Sequence, residues 1–151
     1  MNAYFSREAL SCDRVCELSC NLDDMTPEDI GFAMERLLEA GALDVYTVPI
    51  GMKKNRPATM LRCLCRAGEE EDFVQLLLRH TTTLGVRLQI LERRVLNRQT
   101  VNRNTPWGPV RCKIAAGKEK PEYEDLAAIA RQYDLPLSEG RRHIKQKETE
   151  T

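Results

Sequence analysis

Val15-Cys16-Glu17-Leu18-Ser19-Cys20-Asn21-Leu22-Asp23-Asp24-Met25-Thr26-Pro27-Glu28-Asp29 holds a strand, a junction and a helix start in one short run. Cys16, Leu18, Cys20 and Leu22 fall on one side of an extended chain, and Glu17, Ser19 and Asn21 on the other. That is the period of a half-buried strand. Thr26 can cap a helix, Pro27 suits its first position, and Asp29 completes a pair resembling a capping box. Ile30, Ala33, Met34, Leu37 and Leu38 then keep helical spacing, and Gly41 is placed to end the helix.

Working outward, Leu43 to Ile50 reads as a second strand. Lys53-Lys54-Asn55-Arg56-Pro57 reads as a turn in which Asn55 can adopt a left-handed conformation. Thr59 to Arg66 returns as a third strand, with Leu61, Cys63 and Cys65 facing one way and Met60, Arg62, Leu64 and Arg66 the other. Glu69 to about His80 predicts a second helix with Phe73, Leu76 and Leu77 inward and acidic residues at its start, where they complement the helix dipole. Leu84 to Val95 predicts a fourth strand, with Val86, Leu88 and Ile90 on one face and Arg87 and Gln89 on the other. The order β-α-β-β-α-β defines an α+β class with a ferredoxin-like split β-α-β unit. Two helices then cover one face of an antiparallel sheet. The open face carries Glu17, Asn21, Arg62, Arg66, Arg87 and Gln89, which suits a binding surface, an oligomer interface or a solvated face.

Beyond this unit, Arg98–Asn104 and Val110–Ala115 predict a hairpin joined through Pro106-Trp107-Gly108. A short helix starts at Pro121, with Tyr123, Leu126, Ala127 and Ala130 on one side. No repeat or sharp boundary is visible. The expected organisation is an N-terminal extension over 1–14, a single α+β domain over 15–144, and a charged, disordered tail over 145–151.

Composition narrows the function. Lys+Arg and Asp+Glu number 23 each in 151 residues, so a general nucleic-acid binder, which needs a basic excess, is disfavoured. Aromatic residues are only 5%, too few for stacking platforms. No apolar run approaches the roughly 18–20 residues of a membrane span. Met1 to Arg14 has no continuous apolar stretch of the signal-peptide kind. A cytoplasmic protein with reduced thiols is expected. The six cysteines, Cys12, Cys16, Cys20, Cys63, Cys65 and Cys112, match no standard zinc spacing and read mainly as core fillers. His80 and His143 lie too far apart for a local site.

Three segments could carry chemistry. Asp23 and Asp24, between a strand end and a helix start, can offer oxygens to a hard divalent cation. Taken alone, favouring the helix dipole is the simpler role for them. Lys53, Lys54 and Arg56 form a compact cationic turn suited to a polyphosphate, or else a solvated hairpin tip. Thr81-Thr82-Thr83-Leu84-Gly85-Val86-Arg87 adds hydroxyls, backbone N–H groups and a guanidinium. No Walker A sequence is present.

Five segments, in order, are similar to the C-terminal part of the LarC family: Asn21–Glu28, Leu37–Val45, Met52–Pro57, Thr81–Arg87 and Lys120–Asp125. The resemblance covers roughly residues 16 to 145, with Asn55 standing where the family usually shows Gly. It implies insertion of Ni²⁺ into pyridinium-3,5-bisthiocarboxylic acid mononucleotide, using CTP with Mg²⁺ or Mn²⁺, with this part binding the CTP. The motif positions it marks are, by our own assignment of roles, Lys53, Lys54 and Arg56 for phosphates, aided by Thr81, Thr82 and Arg87, with Asp23 and Asp24 as candidates for the divalent ion, directly or through water. Lys120, Glu122 and Tyr123, with Asp125, would close over the nucleotide. The family's longer N-terminal half has no counterpart here, so the chain is expected to be a split product or a fragment, or to have that half as a partner if it is separately encoded, alongside a homo-oligomer and no nucleic acid or membrane. The competing class is a non-catalytic ferredoxin-like module that senses a small ligand.

Overall fold

The structure, a computed structural model, describes residues 10–146, with side chains through residue 144. The chain divides into two compact units, one spanning Cys12–Arg94 and the other built mainly from the chain after Val95.

In the first unit the elements are β1 (Leu10–Leu22), α1 (Pro27–Glu39), β2 (Asp44–Met52), β3 (Arg56–Arg66), α2 (Glu70–His80) and β4 (Arg87–Leu96). The sheet order β2-β3-β1-β4 is that of a ferredoxin-like unit. β1 and β2 both pair antiparallel with β3, placing Cys16 opposite Cys65, Cys20 opposite Leu61 and Val45 opposite Cys63. The apolar side of this alternation packs on Ile30, Leu37, Phe73 and Leu77 of the helices.

Local chemistry explains where α1 begins and ends. The Thr26 hydroxyl donates to Asp29 Oδ2 at 2.7 Å and accepts from the Asp29 N–H at 3.2 Å. At the far end the Gly41 N–H reaches the Leu38 carbonyl and the Ala42 N–H reaches the Leu37 carbonyl. That bond pair is a Schellman motif, and Gly41 at φ 96° supplies the positive φ it needs.

Burial decides the state of the thiols. Cys16, Cys20, Cys63, Cys65 and Cys112 are buried, and only Cys12 is exposed. Desolvation pushes Cys63 and Cys65 up to about 12 and Cys112 to about 11, and raises Cys16 and Cys20 as well. Such thiols stay protonated and pack as small apolar groups.

Several expectations change. β1 begins at Leu10 rather than Val15, so 10–14 is strand and not extension. The Arg93 guanidinium on β4 holds the Asp13 carboxylate through Nε at 3.0 Å and Nη2 at 2.6 Å, an ion pair invisible to local periodicity. Leu88, expected to face the core with Val86 and Ile90, is 54% exposed, because β4 is an edge strand. Leu38 is also exposed on α1. On the open face Glu17 accepts from Tyr46 Oη at 3.2 Å and Arg62 Nη1 at 3.0 Å, tying β1, β2 and β3 together.

The single domain expected over 15–144 resolves into two units with separate cores. The boundary at Arg94–Val95 falls inside β4, so no linker composition marks it. The second unit contains β5 (Gln99–Thr105), β6 (Gly108–Ala115), β7 (Lys118–Pro121), α3 (Tyr123–Tyr133) and α4 (Leu137–Gln146). Its core is Val110, Cys112, Leu126, Ile129 and Ile144. β7 was not expected; it returns through Ala116 and Gly117, both at positive φ, the conformation of a type I′ hairpin. Nor was α4, which replaces the expected charged remainder. Gly140 lets it approach α3 so closely that a Cβ there would lie 3.1 Å from Leu126 Cδ2. Lys145 and Gln146, expected to open a disordered tail, end this helix, while 1–9 and 147–151 lie outside the described residues.

Candidate functional site

Antiparallel pairing brings the end of β1 beside the start of β3, with Leu22 opposite Thr59. Three contacts then join this end to distant segments. Arg56 Nη1 donates to Asp23 Oδ2 at 3.0 Å. Arg87 Nη2, at the start of β4, donates to Asn21 Oδ1 at 2.7 Å. The Thr82 hydroxyl donates to Asp24 Oδ1, and the Thr82 N–H lies 3.4 Å from Met25 Sδ. The residues joined stand 33, 66 and 58 positions apart in the chain, so only the fold assembles them.

Lys53 and Lys54 occupy a short 3-10 turn, Lys53–Asn55, between β2 and β3. Asn55 has φ 57°, in keeping with the sequence, but Lys54 is left-handed as well, at φ 62°. A left-handed Lys costs more than a left-handed Gly, so the hairpin holds this residue against its preference. Neither lysine forms an ion pair among the described residues. Thr81 behaves otherwise: its hydroxyl donates to the Leu77 carbonyl at 2.7 Å and accepts from the Thr83 N–H, so it terminates α2.

The structure thus brings Asp23, Asp24, Arg56, Thr82 and Arg87 together through direct contacts, with Lys53 and Lys54 on the turn that leads to Arg56. Asn21 also belongs to the set, although its role was not foreseen. The available signal was alternation, which places Asn21 and Arg87 on the same polar face.

Lys120, Glu122, Tyr123 and Asp125 belong to the second unit. Lys120 lies opposite Lys113 across β6 and β7. Glu122 meets Lys113 Nζ at 2.6 Å, while its N–H donates to the Arg111 carbonyl at 2.8 Å. Tyr123 opens α3 and is 53% exposed. Asp125 accepts from Arg111 three times, from its N–H at 2.8 Å, Nε at 2.9 Å and Nη2 at 2.7 Å. These bonds, the side-chain ones foremost, hold its carboxyl down to about 2 from an ordinary 3.8.

A lowered folded pKa contributes stability above the unfolded value, and that contribution fades as pH falls toward the folded one. Asp125→Ala should therefore lose about 1–2 kcal/mol at pH 7, after discounting for partial exposure. The deficit should shrink between about pH 4 and pH 2. Fluorescence of Trp107, the sole tryptophan, which stacks edge-on to His143 in the same unit, reports this unfolding. A deficit independent of pH would mean that the carboxylate's charge is not what stabilises the fold.

No group of three or more His, Cys, Asp or Glu able to hold a metal occurs among the described residues. Asp23 and Asp24 nonetheless fit a Mg²⁺-type ion that takes one or two carboxylates and completes its shell with substrate phosphates and water. Nickel favours nitrogen and sulfur donors, but five of the six thiols are buried, only Cys12 is exposed, and His80 and His143 belong to different units. No helix among the described residues is long and apolar enough to cross a membrane.

A ferredoxin-like unit whose sheet end joins two arginines and a hydroxyl to carboxylates and an amide defines a class of α+β modules. Within that class the chain belongs to the nickel insertion protein family, whose sequence pattern matches residues 2–140. It is 43% identical over 130 residues to a pyridinium-3,5-bisthiocarboxylic acid mononucleotide nickel insertion protein of Acetivibrio thermocellus, covering 83% of this chain and 32% of that one. It is 42% identical over 131 residues to the protein of the same name from Lactiplantibacillus plantarum, covering 84% and 31%. The chain thus spans about a third of the length of these relatives. Among solved structures it is similar to LarC2, described as the C-terminal domain of a cyclometallase involved in the synthesis of the NPN cofactor of lactate racemase. The TM-score is 0.79 at 39% identity, covering 88% of this chain and 95% of that domain.

Proposed function

We propose that this chain is the CTP- and divalent-metal-binding part of an enzyme that inserts nickel into pyridinium-3,5-bisthiocarboxylic acid mononucleotide, completing the nickel-pincer cofactor. Family membership and the names of its relatives support the reaction. The observation that carries the binding role is the convergence of Arg56, Thr82 and Arg87 on Asn21, Asp23 and Asp24. Arg56 and Arg87 present planar donor forks to phosphate oxygens, and Lys53 and Lys54 add mobile point charges. Asp23 and Asp24, with those phosphates, would hold Mg²⁺ or Mn²⁺, which when bound neutralises charge on the polyphosphate. Thr81, engaged in capping α2, takes a supporting part at most. Lys120, Glu122 and Tyr123 remain the second unit's candidates for nucleotide contact, with Glu122 already paired to Lys113.

Cleavage of CTP to CMP and pyrophosphate, a lyase-type insertion with Ni²⁺ as cargo, a homo-oligomer and a cytoplasmic setting complete the proposal. The pyridinium site and the nickel donors would come from the part of the relatives' length that this chain does not span, since among the described residues the sheet end offers no exposed thiol or histidine, only the Met25 thioether. A nucleotide panel tests the reading. Ligand that binds only the native state raises its melting temperature with the logarithm of concentration over Kd. CTP with Mn²⁺ should stabilise the chain more than ATP with Mn²⁺. Equal shifts for all four nucleotides, or none at saturation, would remove the cytosine-specific claim.

A further inference from the structure

Three of the donors assigned to phosphate, Arg56, Thr82 and Arg87, are already occupied, and each occupant comes from the end of β1 or the residues just after it. Arg87 holds Asn21, Arg56 holds Asp23 and Thr82 holds Asp24. The three donors come from three different places, the start of β4, the start of β3 and the loop after α2, yet all are gathered by side-chain oxygens within one short segment. Those oxygens stand where phosphate oxygens would have to go.

We infer that the Asn21–Asp24 segment is an internal competitor for the polyphosphate, holding the ligand-free site assembled while lowering its affinity for anions. The inference rests on the proposal that phosphates bind at this end of the sheet. Its physical basis is exchange. A phosphate that takes the Arg56 fork must displace the Asp23 carboxylate, and it then sits near a carboxylate that has lost its partner. Side-chain exposure of 58% for Arg56 and 23% for Asp23 leaves the pair open to such exchange, so the barrier is modest. Asp23 bears a full charge, whereas Asn21 is a neutral acceptor. Asp23 is therefore the strongest of the competitors on a guanidinium.

The test uses the full chain, inorganic tripolyphosphate as probe, EDTA to exclude divalent ions, and titration calorimetry at low ionic strength. Asp23→Asn keeps an acceptor for Arg56 but removes the charge. It should bind tripolyphosphate roughly two- to five-fold tighter than the unaltered chain, the range expected for releasing one exposed ion pair. In an Arg56→Ala background the same substitution should give a clearly smaller gain, because the contested guanidinium is gone. Binding by the unaltered chain with an unchanged or weakened Asp23→Asn variant overturns the internal competitor and leaves the phosphate site standing. No tripolyphosphate binding by either protein overturns the phosphate site and the competitor with it. Melting curves of each variant without ligand show whether the fold is retained. Asp23→Ser serves as the second uncharged variant should Asp23→Asn prove unfolded.

Discussion

Lys54→Ala and Arg56→Ala should each weaken CTP–Mn²⁺ binding by about 10- to 100-fold, the range for losing one hydrogen bond to a charged group. The proposed phosphate role demands an effect of that size, while a solvated hairpin tip would show almost none. Lys54 makes the cleaner comparison. Its backbone is left-handed at φ 62°, and alanine keeps the Cβ that makes such a conformation costly. The strain is thus about the same before and after, and the change in affinity belongs to the ammonium. Arg56→Ala removes a fork and also releases Asp23, whose carboxylate is then free to meet both the phosphates and the cation, so its loss mixes two effects. Both residues are exposed and outside the core, so melting temperatures without ligand should move little. Isothermal titration of both variants reads the result, and normal affinity in both would return the basic turn to solvent.

Leu18→Ala should destabilise the first unit by about 2–5 kcal/mol, a large share of the roughly 5–15 kcal/mol that holds a typical domain together. Leu18 is fully buried on β1, a central strand, opposite the buried Cys63. Its side chain belongs to the cluster shared with Ile30, Leu37, Phe73 and Leu77, so truncation opens a cavity between sheet and helices. Urea unfolding followed by far-UV circular dichroism should show a lower midpoint at a similar slope. A cost well under 1 kcal/mol would mean that the helices are not packed on this face as the structure has them. Nucleotide affinity measured at low temperature, where the variant stays folded, should be retained, because Leu18 belongs to the core cluster and Arg56, Thr82, Arg87, Asp23 and Asp24 do not.

Much of the first unit was legible because its signals are local. Alternation from Val15 to Leu22, the Thr26-Pro27-Glu28-Asp29 helix start and the Gly41 stop each act within a few residues, and together they order the elements of a ferredoxin-like unit. The five segments that mark the family were equally open to inspection. What only tertiary structure decided depends on contacts between residues far apart in the chain. Asn21 meets Arg87 and Asp24 meets Thr82 because β1 lies beside β4 and because α2 delivers its exit loop to the same end of the sheet. Leu10 to Arg14 is strand because β4 offers it a partner, including Arg93 for Asp13. The second unit shows the same limit: α4 has few apolar residues, and its helix is stabilised by packing Ile144 and Gly140 beside Leu126, not by its own sequence.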